Sequence, residues 1–511
     1  MGLDSMLQIL FMEDFKVRKR IGNIIRCVVF LTILVLSLYG INKVLETKTT
    51  MRNNIYTTTT TYNQFYKMQE NTIDALFLGS SVAANAFIPQ EIYNQYQIRT
   101  YNLATEQQSV FLSYYWLKEA LRFQSPKVVI LDTRFLFDIH PETPINTNEG
   151  LTRNCLDPMK WSKVKMEAVS ELCKLDPAHS ELSFYLTNIR FHERWKAIQD
   201  HDMLFSDLQH NELKGYAPIK WYGPQEYTTF DHSGDYKKRV EPKPVMATYL
   251  DKMVQLCKDH DIQLVLLSLP GNKMSDGYDN TLTDYAKTRS IDYYNLCETS
   301  LYQAIGAVLP KESVIEHGNL WGAMKMSQFI GKMLAETYHV TGNVDEQYES
   351  TKEYYEQITQ NCELSLITDV DQYLEAIKDD RYTVFLSVYN DATLGLKEST
   401  KKALANLGLQ KDLTGKYQWS YSAVISPEHG VLEELNENYP AVIRGSICNK
   451  RSLFTVSSSG ALAGSSSTIQ IDERGYSKGS RGMNIVVYDN QIGEVIDSVA
   501  FDTHGESGAA R

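Results

Sequence analysis

The sequence predicts an α/β protein: a doubly wound parallel-sheet domain with a helical insertion, then a smaller α+β domain, both behind one N-terminal membrane helix. Three observations predict this. Short, wholly apolar runs such as Ala75–Leu78 and KVVILD at 127–132 alternate with helical periods, as strands buried on both faces of a parallel sheet do. Beyond residue 364 the texture changes to short strands parted by Gly/Ser-rich turns. Near the start, CVVFLTILVLSLYGI at 27–41, with Ile24 and Ile25 before it, is about long enough to cross a bilayer.

The elements follow in order. Lys16, Arg18, Lys19, Arg20 and Arg26 crowd the N-terminal flank of the apolar run. The positive-inside rule makes residues 1–23 a cytoplasmic tail, 24–42 the transmembrane helix and the remainder extracytoplasmic. No small-residue cleavage site follows, so an uncleaved anchor is expected rather than a signal peptide. The Thr-rich stretch 43–62 reads as a stalk. A parallel-sheet domain is expected over 63–342, with strands at 75–78, 98–103, 128–131, 262–269 and 291–296. Residues 150–240 form its helical insertion, and the last helix covers 318–338. The acidic, tyrosine-rich segment 343–363 reads as a linker. A second domain fills 364–511, with helices at 370–378 and 396–407. Its strands are expected at 383–389, 421–425, 441–444, 452–457, 467–471, 483–488 and 494–501.

The formal net charge of -12 argues against broad nucleic-acid binding, which needs a basic face. Of the seven cysteines, Cys27 lies in the apolar run. The other six are buried thiols or disulfides, with Cys362 and Cys448 the favoured pair if bridges form. No cysteine or histidine spacing suggests a metal, and no cofactor is expected.

The chemistry-bearing feature is FLGSSVAANAF, where an apolar strand ends in Gly79-Ser80-Ser81. A serine there sits at the carboxyl edge of the sheet, where open α/β sheets hold their sites. A hydroxyl needs a base to become a nucleophile, and His317 in IEHGNLWGAMK opens the last helix. The plainer readings are a helix-capping turn serine and an ordinary helix-start histidine. ENTIDALFLGSSVAANAF, YNLATEQQS, PKVVILD and HGNLWGAMKMSQFIGKML, in that order, resemble the SGNH/GDSL hydrolase superfamily. They are most similar to its membrane-anchored bacterial branch tied to cell-surface glycan acylation, which includes the teichoic acid D-alanyl transfer protein and alginate acetylation proteins. RFHERWKAI at 190–198 also resembles an element of that branch.

That resemblance implies an SGNH-type, flavodoxin-like fold with Ser81 as nucleophile and His317 as general base. The implied oxyanion hole comprises the Ser81 N–H, the Gln107 N–H at the family's glycine position, and Asn102. Asp132-Thr133-Arg134 stands where the family's asparagine donor belongs. Val314 and Ile315 stand where its histidine-orienting aspartate belongs, leaving only Glu316 and Glu312 nearby. His192 reads as a surface or packing residue that lines a groove rather than as the base.

TVFLSVYNDATLGLKESTKKALANLG at 383–408 and the stretches at 452–471 and 480–504 resemble the interleukin-like EMT-inducer (ILEI, PANDER-like) domain in permuted order. Some members of that family bind sugars. The resemblance implies glycan contact by Arg481, with Asp391 at the family's acidic pair; a structural ion pair is the equal alternative for Arg481. Together these readings imply a membrane-anchored serine esterase or O-acyltransferase acting on a cell-surface glycan, with a multi-pass membrane O-acyltransferase as partner. The alternative is a catalytically inactive glycan-binding or assembly factor.

Overall fold

The computed structural model describes residues 3–46, 59–137, 144–145, 147–198, 200–203, 212–221, 229–271, 273–306, 312–314, 316–447, 452–472, 474–505 and 508–511. In chain order the first half runs α1 (Leu3–Leu45), α2 (Thr59–Phe65), β1 (Ala75–Leu78), α3 (Ser81–Ala86), α4 (Pro89–Tyr96), β2 (Thr100–Asn102), α5 (Val110–Ala120) and β3 (Val128–Asp132). Helices α6 (Glu149–Leu156), α7 (Lys163–Leu175), α8 (Glu181–Tyr185) and α9 (Thr187–Phe191) follow. Two 3₁₀ turns, His192–Ala197 and Asp200–Met203, close that region. Then come α10 (Pro244–Asp259), β4 (Gln263–Ser268), α11 (Asp276–Arg289), β5 (Asp292–Asn295), α12 (Thr299–Ile305), β6 (Ser313–Val314), β7 (His317–Gly318) and α13 (Leu320–Glu336).

The rest comprises α14 (Glu346–Glu349), α15 (Lys352–Glu363), α16 (Val370–Ala376), β8 (Tyr382–Asn390), α17 (Glu398–Asn406), β9 (Ser420–Ser426), β10 (Gly430–Asn436), β11 (Ala441–Ile447) and β12 (Ser452–Gly460). It ends with β13 (Ser466–Ile471), β14 (Arg474–Gly475), β15 (Gly482–Asp489), β16 (Glu494–Phe501) and β17 (Ala509–Ala510).

The chain divides into two compact units. The first comprises Met1–Ala84, Thr100–Ala217 and Asp231–Leu296; the second comprises Asn85–Arg99, Pro218–Phe230 and Cys297–Arg511. In the first unit five parallel strands form a sheet in the order β2-β1-β3-β4-β5. This is the flavodoxin-type order, whose crevice opens between the carboxyl ends of β1 and β3. Leu76, Phe77, Ile130, Leu131, Val265 and Leu266 are fully buried, which is why these strands read as unbroken apolar runs. Helix α5 starts where the Ser109 hydroxyl accepts the Leu112 N–H.

The Arg18–Leu45 part of α1 is long and apolar enough to cross a membrane, with mean hydropathy 2.4 and none of its most apolar window buried. Lys43–Leu45, where the stalk is expected to begin, is still helical. Residues 47–58 of that stretch lie outside the described residues.

The second unit is built on a ten-stranded sheet in the order β14-β13-β12-β8-β15-β16-β17, with β9 on β8 and β11 on β12. Side chains alternate across it. Val384, Leu386, Val388, Met483, Ile485 and Val487 face a core shared with Tyr373 and Leu404 of the helices. Phe385 and Val486 face a second core with Val424, Phe454, Val456 and Ile469. Strand β10, absent from the sequence reading, pairs antiparallel with β9. The 343–363 segment, expected as a linker, carries α14 and α15. There Tyr348 stacks on Tyr93 at 4.8 Å, and the Tyr355 hydroxyl donates to Glu91 at 2.8 Å.

Cys155, Cys257, Cys297 and Cys362 are buried free thiols and Cys173 is a half-buried one. Cys448, half of the expected Cys362–Cys448 pair, lies outside the described residues. Burial pushes the Cys257 and Cys362 thiols up to about 12, so both stay protonated and inert.

Candidate active site

At the carboxyl end of β1 the chain turns through Gly79, whose φ of +132° and 2.5 Å approach to Asp132 Cβ admit only glycine. Ser80 is buried. Its hydroxyl donates to Asp132 at the end of β3, its N–H reaches the same carboxylate at 3.3 Å, and its oxygen accepts the Val82 N–H at 3.2 Å. Ser81 is the first residue of α3 and remains half-buried, unlike its neighbours. The chain thus buries one serine as a strut and leaves the next half-buried just past the carboxyl end of β1.

The loop after β2 clamps this turn from the other side. Thr105 donates its N–H to the Gly79 carbonyl at 3.0 Å, and Gln108 Oε1 accepts the Gly79 N–H at 3.1 Å. Gln108 in turn donates to the Leu103 carbonyl and accepts from Ser113. Behind it, Tyr62 and Cys155 both lie within hydrogen-bond reach of Thr105 Oγ1. Burial raises the Cys155 thiol and the Tyr62 phenol, so this cluster is neutral packing.

Gln107 adopts φ +49°, the left-handed region that glycine favours, and no acceptor among the described residues takes its N–H. Asn102 is fully buried. It donates its amide to the Ala83 carbonyl at 2.9 Å, and its Oδ1 accepts the Ala104 N–H at 3.1 Å. The first of these bonds ties the end of β2 to α3. At the third strand, Asp132-Thr133 holds the sheet edge: Asp132 accepts the Arg134 N–H, and Thr133 bonds the Leu267 carbonyl and Ser268 hydroxyl.

His317 belongs to the second unit. It lies half-buried on β7, opposite Val314 of β6, after Glu316 at φ +63°. Asn319 then caps α13 by accepting the Gly322 N–H at 3.2 Å, so the histidine stands just ahead of a helix N-terminus. Glu312, one of the two acids near His317 in sequence, binds Lys325 at 2.7 Å. A Cβ on Gly318 would stand 3.7 Å from the Asn85 carbonyl. Ser327 of α13 accepts the Ile88 N–H at 2.7 Å.

Two solved structures share a distant likeness. A GDSL-like lipase from Bacteroides thetaiotaomicron is 11% identical, covers 54% of this chain and 95% of its own, and superposes with a TM-score of 0.26. A Bacteroides fragilis chain assigned as an acylhydrolase is 10% identical, covers 54% of this chain and 94% of its own, and gives 0.25. Scores this low carry no weight for fold or activity. No family model and no curated protein matches the chain.

His192 is exposed, its Nδ1 within 2.8 Å of the Ile189 carbonyl, as a surface residue would be. Among the described residues no three His, Cys, Asp or Glu side chains gather as a metal site requires.

In the second unit, Asp391 is fully buried at the end of β8. It accepts the N–H groups of Thr393, Leu394 and Gln418 and the Thr393 hydroxyl, and contacts His504 Nδ1 at 2.8 Å. These five bonds, from four residues, engage both carboxylate oxygens. His504, one of these partners, ends the FDTH motif and was not singled out by the sequence reading. Arg481, the other expected glycan contact, is half-exposed and forks onto Asp502, with Nη2 at 2.7 Å from Oδ2. The structural ion pair held open for it is thus formed, with part of the guanidinium still facing solvent.

Proposed function

We propose that this chain is an extracytoplasmic serine esterase or O-acyltransferase, anchored by α1, that moves a small acyl group onto or off a cell-surface polysaccharide. One placement within the first unit supports the reading. Ser81 opens α3 directly after the carboxyl end of β1, at the switch point of the flavodoxin-type strand order, and stays half-buried while its neighbours are buried.

In this proposal His317 takes the Ser81 proton as the hydroxyl attacks the acyl carbonyl. The oxyanion is held by the N–H groups of Ser81 and Gln107. The leaving alcohol departs with the proton from His317, leaving an ester on Ser81. A sugar hydroxyl or water, deprotonated by His317, then attacks that ester and releases Ser81. Asn102 and Asp132 act through α3 and Ser80 as positioning residues. The ILEI-like region holds the glycan near Arg481, and a multi-pass membrane O-acyltransferase supplies the acyl group.

Turnover of p-nitrophenyl acetate by the full chain in detergent is the test. Ser81→Ala and His317→Ala should each lower kcat/KM at least about 10³-fold without shifting Tm. The second reading, an inactive glycan-binding factor, is favoured by Val314 and Ile315 standing in the orienting aspartate's place. Equal rates for wild type and Ser81→Ala would establish it.

A further inference from the structure

The C-terminal end of α1 is built into the first unit. The orphan carbonyls of a helix end need donors. Arg194 supplies them, its Nη1 donating to the carbonyls of Leu45 at 2.7 Å and Glu46 at 2.8 Å. Its Nη2 pairs at 2.6 Å with Asp202, which is fully buried. The Asn188 N–H donates to Asn42 Oδ1 at 2.8 Å, and Leu45 is buried. Helix α9 and both 3₁₀ turns are thereby fastened to the last turn of α1.

That same stretch displays large apolar side chains to solvent. Trp195 is 65% exposed and Met203 61%, and Leu186, Ile189 and Ile198 are exposed beside them. Soluble surfaces seldom cluster such residues without a partner. What covers them follows from where they are attached. The apolar run of α1 ends at Ile41, and a helix rises about 1.5 Å per residue, so Asn42–Leu45 lie within about 6 Å of that end. Groups bonded there are held at headgroup depth. Tryptophan flanked by cationic side chains is the composition favoured at that depth, and Trp195 stands between Arg194 and Lys196.

We propose that residues 186–198 and 200–203 form a collar seated in the outer leaflet of the bilayer around the point where α1 emerges. The inference rests on α1 remaining in the membrane, as proposed above. The collar replaces a flexible tether with a fixed junction, so the first unit keeps one height and one face toward the lipid. Substrates carried at the membrane surface are the class such a placement serves.

Photolabelling tests this with the full chain reconstituted in phosphatidylcholine vesicles containing a diazirine phospholipid reactive at the headgroup boundary. Peptides from 186–203 should be labelled about tenfold above the remaining extramembrane chain, alongside α1. Trp195→Glu combined with Met203→Glu should cut collar labelling about fivefold and leave α1 labelling unchanged. Labelling of α1 with the collar at background overturns the collar and leaves the anchor standing. Labelling of neither overturns the anchor and the collar together.

Discussion

Each unit buries an aspartate at the end of a strand, and the two aspartates serve opposite ends. Asp132, closing β3 of the parallel sheet, holds the Ser80 hydroxyl and N–H and so fixes the turn that presents half-buried Ser81. Asp391, after β8 of the ten-stranded sheet, gathers backbone N–H groups from two loops together with Thr393 and His504. One network ends beside a serine left half-buried; the other closes on itself. A buried carboxylate at a strand end therefore marks a site only when the residues it orders keep chemistry to spend.

Removing each carboxylate should separate the two roles, and this is the largest effect expected. Asp132→Ala lets the Ser81 turn shift and, on the proposed mechanism, should lower kcat/KM about 10²-fold, since small misplacements cost that much. Asp391→Ala strands several buried donors and should lower the stability of the second unit by about 3 kcal/mol, with turnover kept within about twofold. Kinetics with p-nitrophenyl acetate and hydrogen exchange resolved by peptide check both. If Asp391→Ala abolished turnover while the second unit stayed protected, the contrast between the two networks would be wrong.

A smaller effect tests the loop opposite. Gln107 holds a left-handed backbone, which costs a non-glycine residue about 1 kcal/mol. Gln107→Gly should raise Tm by a few degrees and keep kcat/KM within about twofold, because the proposed mechanism uses only the N–H. A large fall in rate with intact stability would show instead that the side chain contacts the substrate.

What the sequence disclosed and what it hid divide along the same line. Strands β1, β3 and β4 were legible because burial on both faces leaves an unbroken apolar run. Strands β8 and β15 were legible because β-branched and aromatic residues carry them. The serine turn showed itself through Gly79 at the end of such a run. Strand β10 was missed because GVLEELN buries none of its residues fully and gains its strand form from pairing with β9. Helix α15 was missed because its acidic, tyrosine-rich sequence looks like solvated linker until Tyr355 finds Glu91. Gln108 carries no local signal, and Asp132 reads in sequence only as the residue standing in the asparagine donor's place. Their roles arise only when the chain brings Gly79 and Ser80 to them from 29 and 52 residues away.

The smallest expected effect is a difference in the sign of the acid response. Burial pushes the Asp157 carboxyl up to about 6, and Arg153 and Lys165 offset only part of that. A carboxyl raised in the fold favours the fold while protonated. Its contribution to the first unit is whole below about pH 4 and gone once pH passes about 6. Asp391 behaves in reverse. Burial alone would raise it, but the Gln418 N–H, His504, the Leu394 N–H and Thr393 outweigh burial and hold it below the usual carboxylate range. Its contribution to the second unit is whole above about pH 4 and is lost as pH falls further. Hydrogen exchange between about pH 3 and 7, corrected for intrinsic rates, should therefore show α6 and α7 losing protection as pH rises from 4 to 6. Over the lower part of that range, the end of β8 and the loop around Gln418 should gain it. Asp157→Asn should flatten the first trend and leave the second, because the two carboxylates belong to different units. Parallel slopes in wild type would mean that the buried acids of the two units do not differ in the way their hydrogen bonds require.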